Sequence, residues 1–271
     1  MGVAAAGVVD ADELRRLAVA VAVDAATFVA EAMRLHRTDG ASLAAGAVSS
    51  KSSPTDLVTE VDRASEARIV TALNAARPDD GLQGEEGTGI ASRTGLRWVI
   101  DPIDGTTNFV YGFPAVAVSV AVVDDSEPDH SVAGAVVDVG RGEVFSAARG
   151  LGAWLDDEPL ALPSTPAVDL GHALVGTGFA YSAERRAEQA AVLARVLPRV
   201  RDIRRAGSAA LDLCWVGAGR LDASYERGVQ LWDRAAGILV ATEAGARAGI
   251  EDTLTWVAHP SIAEEFLALV R

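Results

Sequence analysis

The stretch WVIDPIDGTTNF, residues 98–109, joins the end of an apolar run to two aspartates and a glycine turn. The run LRWVI predicts a buried strand that ends at Asp101-Pro102, because proline cannot continue a strand ladder. Asp101 and Asp104 repel each other when both are ionised. Taken alone, the stretch is explained as well by an Asp-Pro turn followed by an Asp-Gly turn as by a functional site. The other acidic residues of the chain therefore provide the evidence that distinguishes a pair of ordinary turns from a functional site.

Three further acidic positions stand in unusual contexts. Glu85, in QGEEG, lies between glycines, Asp233 opens an otherwise apolar helix, and Asp62 begins a helix after Leu-Val-Thr. Each position alone is typical of a cap or a turn. Together they favour a site for Mg²⁺, which takes oxygen ligands and keeps water positions open. Two such ions about 3.5–4 Å apart stabilise the attacking and leaving oxygens of a phosphoryl transfer.

A phosphate-binding turn follows the two aspartates. Gly105, Thr106 and Thr107 place backbone N–H groups at a predicted helix start, where the helix dipole favours an anion. Asn108 adds a side-chain amide nearby. The motif DGTTN alone is a weak signal for phosphate. Lys51 is the only lysine in the chain, and we interpret it as an ammonium group near metal-bound oxygens or as an ordinary surface lysine.

Composition limits the classes of function. The 271 residues are 49% hydrophobic and carry a formal net charge of −14, so the chain can bury a core and repels nucleic acid. A phosphorylated small molecule stays possible because a bound metal reverses the local field. Cys214 is the only cysteine, which excludes an intrachain disulfide and fits a reducing compartment. No targeting or membrane-spanning pattern is present, so we expect a cytoplasmic protein that binds neither nucleic acid nor membrane.

The hydrophobic pattern predicts helices that alternate with strands, and therefore an α/β fold of packed sheets and helices. Strands 115–123 and the two that follow predict an antiparallel meander. Residues 156–169, rich in proline, are interpreted as a connector between an N-terminal half, 1–155, and a C-terminal half, 156–271. The predicted helices cover 10–36, 62–76, 183–197, a segment opening at GSAALDLCWVGAG, and 232–244; the other predicted strands are HALVGTGFA, VRDIRR and LDASYER.

Several motifs together resemble the inositol monophosphatase family of magnesium-dependent, lithium-sensitive sugar phosphatases. They are KSSPTDLVTEVD, GEEG, WVIDPIDGTTNF, GSAALDLCWVGAGRLDASYE and WDRAAGILVATEAG. The resemblance runs from Lys51 to Gly245 in the family's order. It implies alternating αβαβα layers, with a mixed or antiparallel first sheet and a smaller second sheet, and commonly a homodimer. In the N-terminal half it places most of the metal ligands, and in the C-terminal half Asp233 and the substrate contacts.

The resemblance also implies a role for each matching residue. Two to three Mg²⁺ ions would be bound by Glu85, Asp101, the carbonyl of Ile103, Asp104 and Asp233. The catalytic group would comprise Glu85 and Thr106, which hold the nucleophilic water, together with Asp62 and Lys51. Substrate contacts would come from Gly105, Thr106, Gly207, Ser208, Ala209 and Glu226.

The sequence departs from the family pattern after Gly245, where RAGIEDTLTWVAHPSIAEEF is short. This shortening puts the last strands of the second sheet in question. The four histidines belong to no motif, and we interpret them as structural or surface groups.

The favoured function is hydrolysis of inositol monophosphate by in-line attack of metal-activated water. Histidinol phosphate and fructose 1,6-bisphosphate are alternative substrates, because Glu226 suits either a polyhydroxyl ring or an amine. A 3′-phosphoadenosine-type nucleotide is disfavoured, since the sequence shows no aromatic or basic cluster to stack and neutralise it. A regulatory binding protein that retains the fold is the alternative from another class.

Overall fold

The structure is a computed structural model that describes residues 10–38, 48–50, 57–163 and 169–271. Helices and sheets alternate along this part of the chain, as the hydrophobic pattern predicts. Its α-helices are α1 Ala11–Thr38, α2 Glu60–Ala76, α3 Thr106–Tyr111, α4 Ala183–Val196, α5 Ala209–Gly217, α6 Leu231–Glu243 and α7 Ala263–Val270. Short 3₁₀ turns cover Leu170–His172 and Leu197–Arg199.

The strands form two main sheets and one small hairpin. They are β1 Val48–Ser50, β2 Leu57–Thr59, β3 Gly81–Gly84, β4 Gly89–Ile90, β5 Leu96–Asp104, β6 Ala117–Asp124, β7 Glu127–Asp138, β8 Glu143–Ala148, β9 Gly152–Leu155, β10 Glu158–Leu160, β11 Leu174–Thr177, β12 Asp202–Arg204, β13 Ala223–Arg227, β14 Arg247–Glu251 and β15 Leu254–Ala258. The order in the first sheet is β10-β9-β8-β7-β6-β5-β3-β4, and in the second β12-β11-β13-β15-β14.

Both main sheets are mixed. In the first, β3 and β5 run parallel while β5 to β10 form an antiparallel meander. In the second, β11 is parallel to both neighbours, and β13, β15 and β14 are antiparallel. The first sheet is the larger one, as the family resemblance implies.

Buried side chains show how the layers stack. Helices α1 and α2 cover one face of the first sheet, with Trp98 and Ile100 of β5 fully buried between them. Helices α5 and α6 cover its other face and also contact the second sheet. Helices α4 and α7 pack on the far side of the second sheet around Phe266. The resulting order is αβαβα, which confirms the predicted fold class. No helix in the described ranges combines the length and apolarity that crossing a bilayer requires.

The predicted end of the LRWVI strand is wrong. Strand β5 continues through Pro102 to Asp104, and its register against β6 shifts between Asp101 and Asp104. A bulge of this kind tolerates proline because the extra residues are not part of the regular ladder. The bulge therefore keeps both aspartates on one strand end.

Two predictions about the C-terminal half also change. Residues 158–160, assigned to the connector, form β10 and pair with β9, whereas residues 164–168 lie outside the described residues. The division of the chain at 155 and 156 stays a prediction. The short segment after Gly245 does form the last strands: β14 and β15 pair through a two-residue turn that begins at Asp252, whose φ is 52°. Aspartate tolerates this left-handed conformation better than most residues.

Candidate active site

A cavity of about 410 Å³ lies where strand ends and helix starts meet. Its wall includes Glu85, Asp101, Asp104 and Asp233, four carboxylates from three separate parts of the chain. Ile103, Gly105, Thr106, Gly207, Ala209 and Glu226 also line it. The structure therefore brings most of the predicted site residues to one place.

The parallel pairing of β3 and β5 brings Glu85 beside Asp101. Gly84 pairs with Ile100, and the Glu85 N–H donates to the Ile100 carbonyl at 3.1 Å. Because parallel strands end at the same edge of a sheet, both carboxyl groups leave the sheet together. The nearby Glu85 side chain contributes to the raised pKa of Asp101, after burial. A second bond, from the Ile103 N–H to Asp101 Oδ1 at 3.0 Å, fixes the Asp101 carboxylate.

Helix α5 positions Asp104 from the opposite layer. Asp104 Oδ2 accepts hydrogen bonds from the Ser208 hydroxyl at 2.6 Å and from the Ala210 N–H at 2.7 Å. Ser208 is the N-cap of α5 and its hydroxyl also accepts from the Leu211 N–H. The start of α5 thus stabilises the negative charge of Asp104.

Helix α6 supplies Asp233 from its first turn. Asp233 Oδ2 accepts from the Gln230 N–H at 2.6 Å, which is the contact of a capping residue. The cap and the candidate metal ligand are therefore the same side chain. A local role at the helix start does not exclude a role in the cavity.

Thr106 and Asp62 form a buried pair behind the cavity wall. The Thr106 hydroxyl lies 2.9 Å from Asp62 Oδ1 and 3.2 Å from the Ile103 carbonyl, both of which accept its proton. Asp62 Oδ2 accepts from the Thr59 N–H at 2.9 Å and from the Thr59 hydroxyl. Because the Thr106 proton points away from the cavity, the lone pairs of its oxygen are available as acceptors there.

Two turns meet at the site, one before α3 and one before α5, and each contains a glycine with positive φ. Gly105 has φ 96°, and a Cβ there would lie 2.8 Å from the Ala115 carbonyl oxygen. Gly207, with φ 94°, lies against the same turn. The Asn108 amide donates to the Ala115 carbonyl at 2.7 Å and the Ala206 carbonyl at 2.9 Å, so it ties the two turns together. Asn108 is a structural residue of the site.

Burial and like charge dominate the electrostatics of the cluster. Burial raises the pKa of Asp101 well above its usual range, and the charges of Glu85, Asp104 and Asp233 raise it further. Burial raises the pKa of Asp104 to about 6, although the bonds from Ser208 and Ala210 oppose the shift. Burial, followed by the charge of Asp104, raises the pKa of Asp233. A cation in the cavity would reverse these shifts, because an opposite charge favours ionised carboxylates.

Glu226 and Asp212 form a second acidic pair at the edge of the cluster. Burial raises the pKa of Glu226 to about 7, and the charge of Asp104 contributes. Burial, followed by the charge of Glu226, raises the pKa of Asp212 well above its usual range. Asp212 Oδ1 is buried and has no hydrogen-bond partner. Glu226 lines the cavity, whereas Asp212 does not.

The chemistry of the donor set fits magnesium. Asp101, Asp104 and Asp233 are buried, carry raised pKa values and form no ion pair with the described residues. Hard carboxylate and carbonyl oxygens are the ligands that Mg²⁺ prefers. Across residues 10–38, 57–163 and 169–271, no three acidic, histidine or cysteine side chains are grouped closely enough to hold an ion as they stand.

Some predicted residues lie elsewhere. Ser208 is buried behind Asp104 and does not line the cavity. Its hydroxyl donates to Asp104 and accepts from the Leu211 N–H of α5. Asp62 reaches the cavity only through Thr106. Lys51 lies outside the described residues. Of the histidines, His259 bonds Ser261 and the Pro163 carbonyl, and exposed His172 pairs with Asp169. Cys214 is buried in the core, and burial raises the pKa of its thiol.

Sequence reasoning missed Glu66. This buried carboxylate accepts from the Glu86 N–H at 2.8 Å, the Thr88 N–H at 3.1 Å and the Thr88 hydroxyl at 2.6 Å. It therefore holds the loop that carries Glu85. Its signal in the sequence is an acid on the buried side of a predicted helix, one turn after Asp62.

No basic or aromatic cluster is visible in the sequence, but the structure brings such residues together along the cavity wall. Arg185 and Arg205 line the cavity, together with Phe179, Tyr181 and Trp232. Phe179, Tyr181 and Arg185 come from one segment, whereas Arg205 and Trp232 come from two others, so the whole set is not visible as one local cluster.

Comparisons with known proteins place this geometry in a family. The sequence model of the Inositol monophosphatase family matches residues 10–250. An inositol-1-monophosphatase of Mycobacterium leprae is 49% identical over 97% of this chain and 94% of its own length. The structure of Mycobacterium tuberculosis SuhB is 45% identical, covers 96% of each chain and has a TM-score of 0.79. A Nus factor SuhB of Xylella fastidiosa is 42% identical over 70% of this chain and 67% of its own length.

The family model covers the whole cavity wall, including the last metal-ligand candidate, Asp233. The matches also agree with the αβαβα order of the layers. The chain is a phosphatase-type protein that belongs to the inositol monophosphatase family.

Proposed function

We propose that the protein is a Mg²⁺-dependent phosphomonoesterase that hydrolyses inositol 1-phosphate. One observation carries the proposal: four carboxylates, Glu85, Asp101, Asp104 and Asp233, share a cavity with the Gly105–Thr106 turn. A carboxylate cluster repels a phosphate unless cations intervene. Metal ions held by these acids would supply the positive charge that a phosphate in the same cavity requires.

The four carboxylates and the Ile103 carbonyl would hold two to three Mg²⁺ ions. Bound there, the ions would polarise the phosphate oxygens and lower the pKa of a water molecule. The hydrogen bonds on Asp101, Asp104 and Asp233 occupy one oxygen of each carboxylate. The protein thus fixes the orientation of each ligand before any ion binds, which is the role of outer groups around a metal site.

Thr106 orients the attacking water. Its proton is held by Asp62 and the Ile103 carbonyl, so its oxygen accepts a hydrogen bond from the water. Glu85, on the other strand end, accepts the second proton of that water. Two acceptors fix the direction of the water's lone pair toward phosphorus, and such positioning is a main source of catalysis in phosphoryl transfer.

The turn at Gly105 binds the phosphate through backbone N–H groups, supported by the start of α3. Gly207, Ala209 and Glu226 line the part of the cavity that is left for the polyol. Glu226 has a pKa of about 7, so it can accept from a hydroxyl when ionised and donate when protonated. A ring of hydroxyl groups suits this wall.

A phosphate-release assay tests the proposal. Inositol 1-phosphate, histidinol phosphate and fructose 1,6-bisphosphate are compared at equal concentration, with Mg²⁺ and with excess EDTA. We expect release from inositol 1-phosphate that requires Mg²⁺, and its loss in EDTA. Activity that is undiminished in EDTA would contradict the metal assignment.

Asp101→Asn supplies the matched variant, with Asp252→Asn as the control. Asp101→Asn should abolish turnover without loss of folding, because it removes like-charge repulsion in a buried cluster. Asp252 lies in the exposed β14–β15 turn with φ 52°, which asparagine also tolerates. Normal turnover by Asp101→Asn would show that the ligand set is wrong.

A second candidate function is a regulatory binding role. It is favoured by the relatives named Nus factor SuhB, which are 40–42% identical over about 70% of this chain. Asp104→Asn separates the two candidates in cells that lack the wild-type protein. A phenotype restored by Asp104→Asn would favour the regulatory role, and a phenotype that stays lost would favour catalysis.

Three further properties belong to the proposal through the family resemblance. They are inhibition by lithium, a homodimer and a cytoplasmic location. Sedimentation velocity tests the homodimer directly, and we expect a dimer at micromolar concentration. A monomer at all concentrations would remove the homodimer from the proposal and leave the catalytic site as described.

A further inference from the structure

Asp212 is a buried acid that the proposed reaction does not use. It lies in the first turn of α5, is 2% exposed and does not line the cavity. Among the described residues, its Oδ1 is the only carboxyl oxygen that is buried and has no hydrogen-bond partner. A buried carboxylate with a bare oxygen is costly. The group therefore needs a proton or a partner that donates to it.

Two glycines at the end of β11 make room for the carboxyl groups of Asp212 and Glu226. A Cβ on Gly176 would lie 3.3 Å from Asp212 Cγ, and a Cβ on Gly178 would overlap the carboxyl group of Glu226. Because side chains alternate along a strand, positions 176 and 178 share one face and lie about 6.6 Å apart. The two carboxyl groups therefore lie next to each other on this face.

Strand β13 brings Glu226 from this face to the cavity. Gly176 pairs with Ser224 in the parallel register of β11 and β13, so Glu226, two residues after Ser224, extends from the same face. Glu226 lines the cavity, whereas Asp212 packs against Gly176 and does not. The acid pair therefore connects the interior beneath α5 with the cavity wall.

The charges around the pair keep its proton on Asp212. Burial, then the charges of Glu226 and Asp104, raise the pKa of Asp212 well above its usual range, and Arg205 opposes them. Burial and Asp104 also raise the pKa of Glu226, but only to about 7, and Arg205 again opposes them. Asp233 of α6 is the other acid that responds to the charge of Glu226. At neutral pH, Glu226 can therefore ionise while Asp212 stays neutral.

A neutral carboxyl group at Asp212 carries one O–H donor, which an ionised carboxylate lacks. The neighbouring carboxylate of Glu226 accepts such a donor directly or through one water molecule.

We propose that Asp212 is a positioning residue for Glu226: as a neutral carboxylic acid it donates a hydrogen bond that holds Glu226 ionised and turned toward the polyol. This inference rests on the proposed function, in which Glu226 contacts the polyol. Asp212 touches neither the substrate nor a metal ion, and it acts only through Glu226.

The pH dependence of KM for inositol 1-phosphate tests this role. Asp212→Leu removes the donor and keeps a side chain of similar shape. A carboxylate that loses a donor to its charged form has a higher pKa, so the midpoint of the KM profile should move to higher pH. At pH 7, KM should rise about tenfold, the worth of a hydrogen bond to a charged group. The value of kcat should stay the same, because the contact is equal in the ground state and the transition state.

Asp212→Asn is the conservative variant, because asparagine is neutral, has the same shape and keeps an N–H donor. Its midpoint and its KM should equal those of wild type. Asp222→Asn is the matched control in the same sheet: Asp222 accepts from the Leu174 N–H at 2.7 Å and does not line the cavity. Thermal unfolding of all three variants shows whether each is folded.

Infrared spectroscopy gives a measurement that depends neither on activity nor on Asp212→Leu. The C=O stretching band of protonated carboxyl groups is compared at pH 7 in the presence of Mg²⁺. Wild type and Asp222→Asn should both show a band that Asp212→Asn lacks. The other carboxyl groups are the same in all three proteins and cancel in the difference spectra.

Three outcomes would overturn the inference. Folded Asp212→Leu keeps the wild-type midpoint, or the midpoint of Asp212→Asn moves to lower pH, which would show that Asp212 is charged in wild type, or Asp212→Asn loses no band of a protonated carboxyl group. Failure of the proposed function looks different, since wild type would then release no phosphate from inositol 1-phosphate. The infrared comparison would still show whether Asp212 is neutral.

Discussion

The Thr106 hydroxyl donates to Asp62 Oδ1 at 2.9 Å, and Asp62 is fully buried. This bond joins the start of α3 to the start of α2, through two residues that are 44 positions apart in the chain. It fixes the direction in which the Thr106 oxygen can accept a proton. The water-positioning step of the proposed reaction depends on it.

Thr106→Val should therefore lower kcat by about a hundredfold, the usual contribution of a well-placed proton acceptor. Valine keeps the shape and removes the hydroxyl, which also leaves Asp62 with one donor fewer. Thr107→Val, one residue later in the same helix and outside the cavity wall, is the control. Steady-state kinetics with inositol 1-phosphate measure both. Equal kcat values for the two variants would exclude Thr106 from the reaction.

Glu66 should matter for activity although it does not line the cavity. Glu66→Gln replaces an acceptor of three hydrogen bonds with a side chain that has only one acceptor oxygen. The loop that carries Glu85 should lose its fixed position, and half-maximal activity should need about tenfold more Mg²⁺. Glu60→Gln, on the exposed side of α2, should leave the Mg²⁺ requirement unchanged. An unchanged requirement in Glu66→Gln would limit Glu66 to a structural role.

Gly105→Ala should reduce both stability and activity. The residue has φ 96°, and the new Cβ would lie 2.8 Å from the Ala115 carbonyl and 3.1 Å from the Gly207 carbonyl. Gly245→Ala separates strain from contact, because Gly245 has φ 106° and no atom within 4 Å of an added Cβ. Conformational strain alone costs about 1–2 kcal/mol, so thermal unfolding should show a larger loss for Gly105→Ala. Equal losses would mean that the turn can widen freely.

The metal-free protein should lose stability as the pH rises. Burial raises the folded-state pKa of Glu226 from 4.5 to about 7. Folding therefore favours the protonated carboxyl, and this contribution is complete below the unfolded pKa and lost as the pH rises through about 7. In EDTA, Tm should fall between about pH 5 and pH 8, and Glu226→Gln should flatten that fall. Glu243→Gln, at the end of α6, is the control, and an identical slope in Glu226→Gln would refute the assignment.

Local sequence patterns predicted most of the helices and strands, because the start of a helix and the composition of a strand depend on residues that are close in the sequence. Helix α2 begins within two residues of its predicted start, since Thr59 and Asp62 form a capping box there. Strand β6 follows from its β-branched residues. The end of β5 could not be predicted in the same way, because whether Pro102 stops a strand or lies in a bulge depends on the register against β6.

The site was predictable wherever one residue serves both the local structure and the cavity. Asp233 is a helix-capping residue and a cavity residue at once, so a local motif marks it. Arg185 and Arg205 carry no local motif, and they meet only because β11, α4 and α5 surround one cavity. Glu66 stays hidden for the same reason, since its three partners lie twenty residues further along the chain.

The most direct test of the account is a crystal structure determined with Mg²⁺ and inorganic phosphate. The account predicts ions bound by the side chains of Glu85, Asp101, Asp104 and Asp233, with the phosphate at the Gly105–Thr106 turn. Ions bound elsewhere, with these four carboxylates directed away from a common centre, would contradict it.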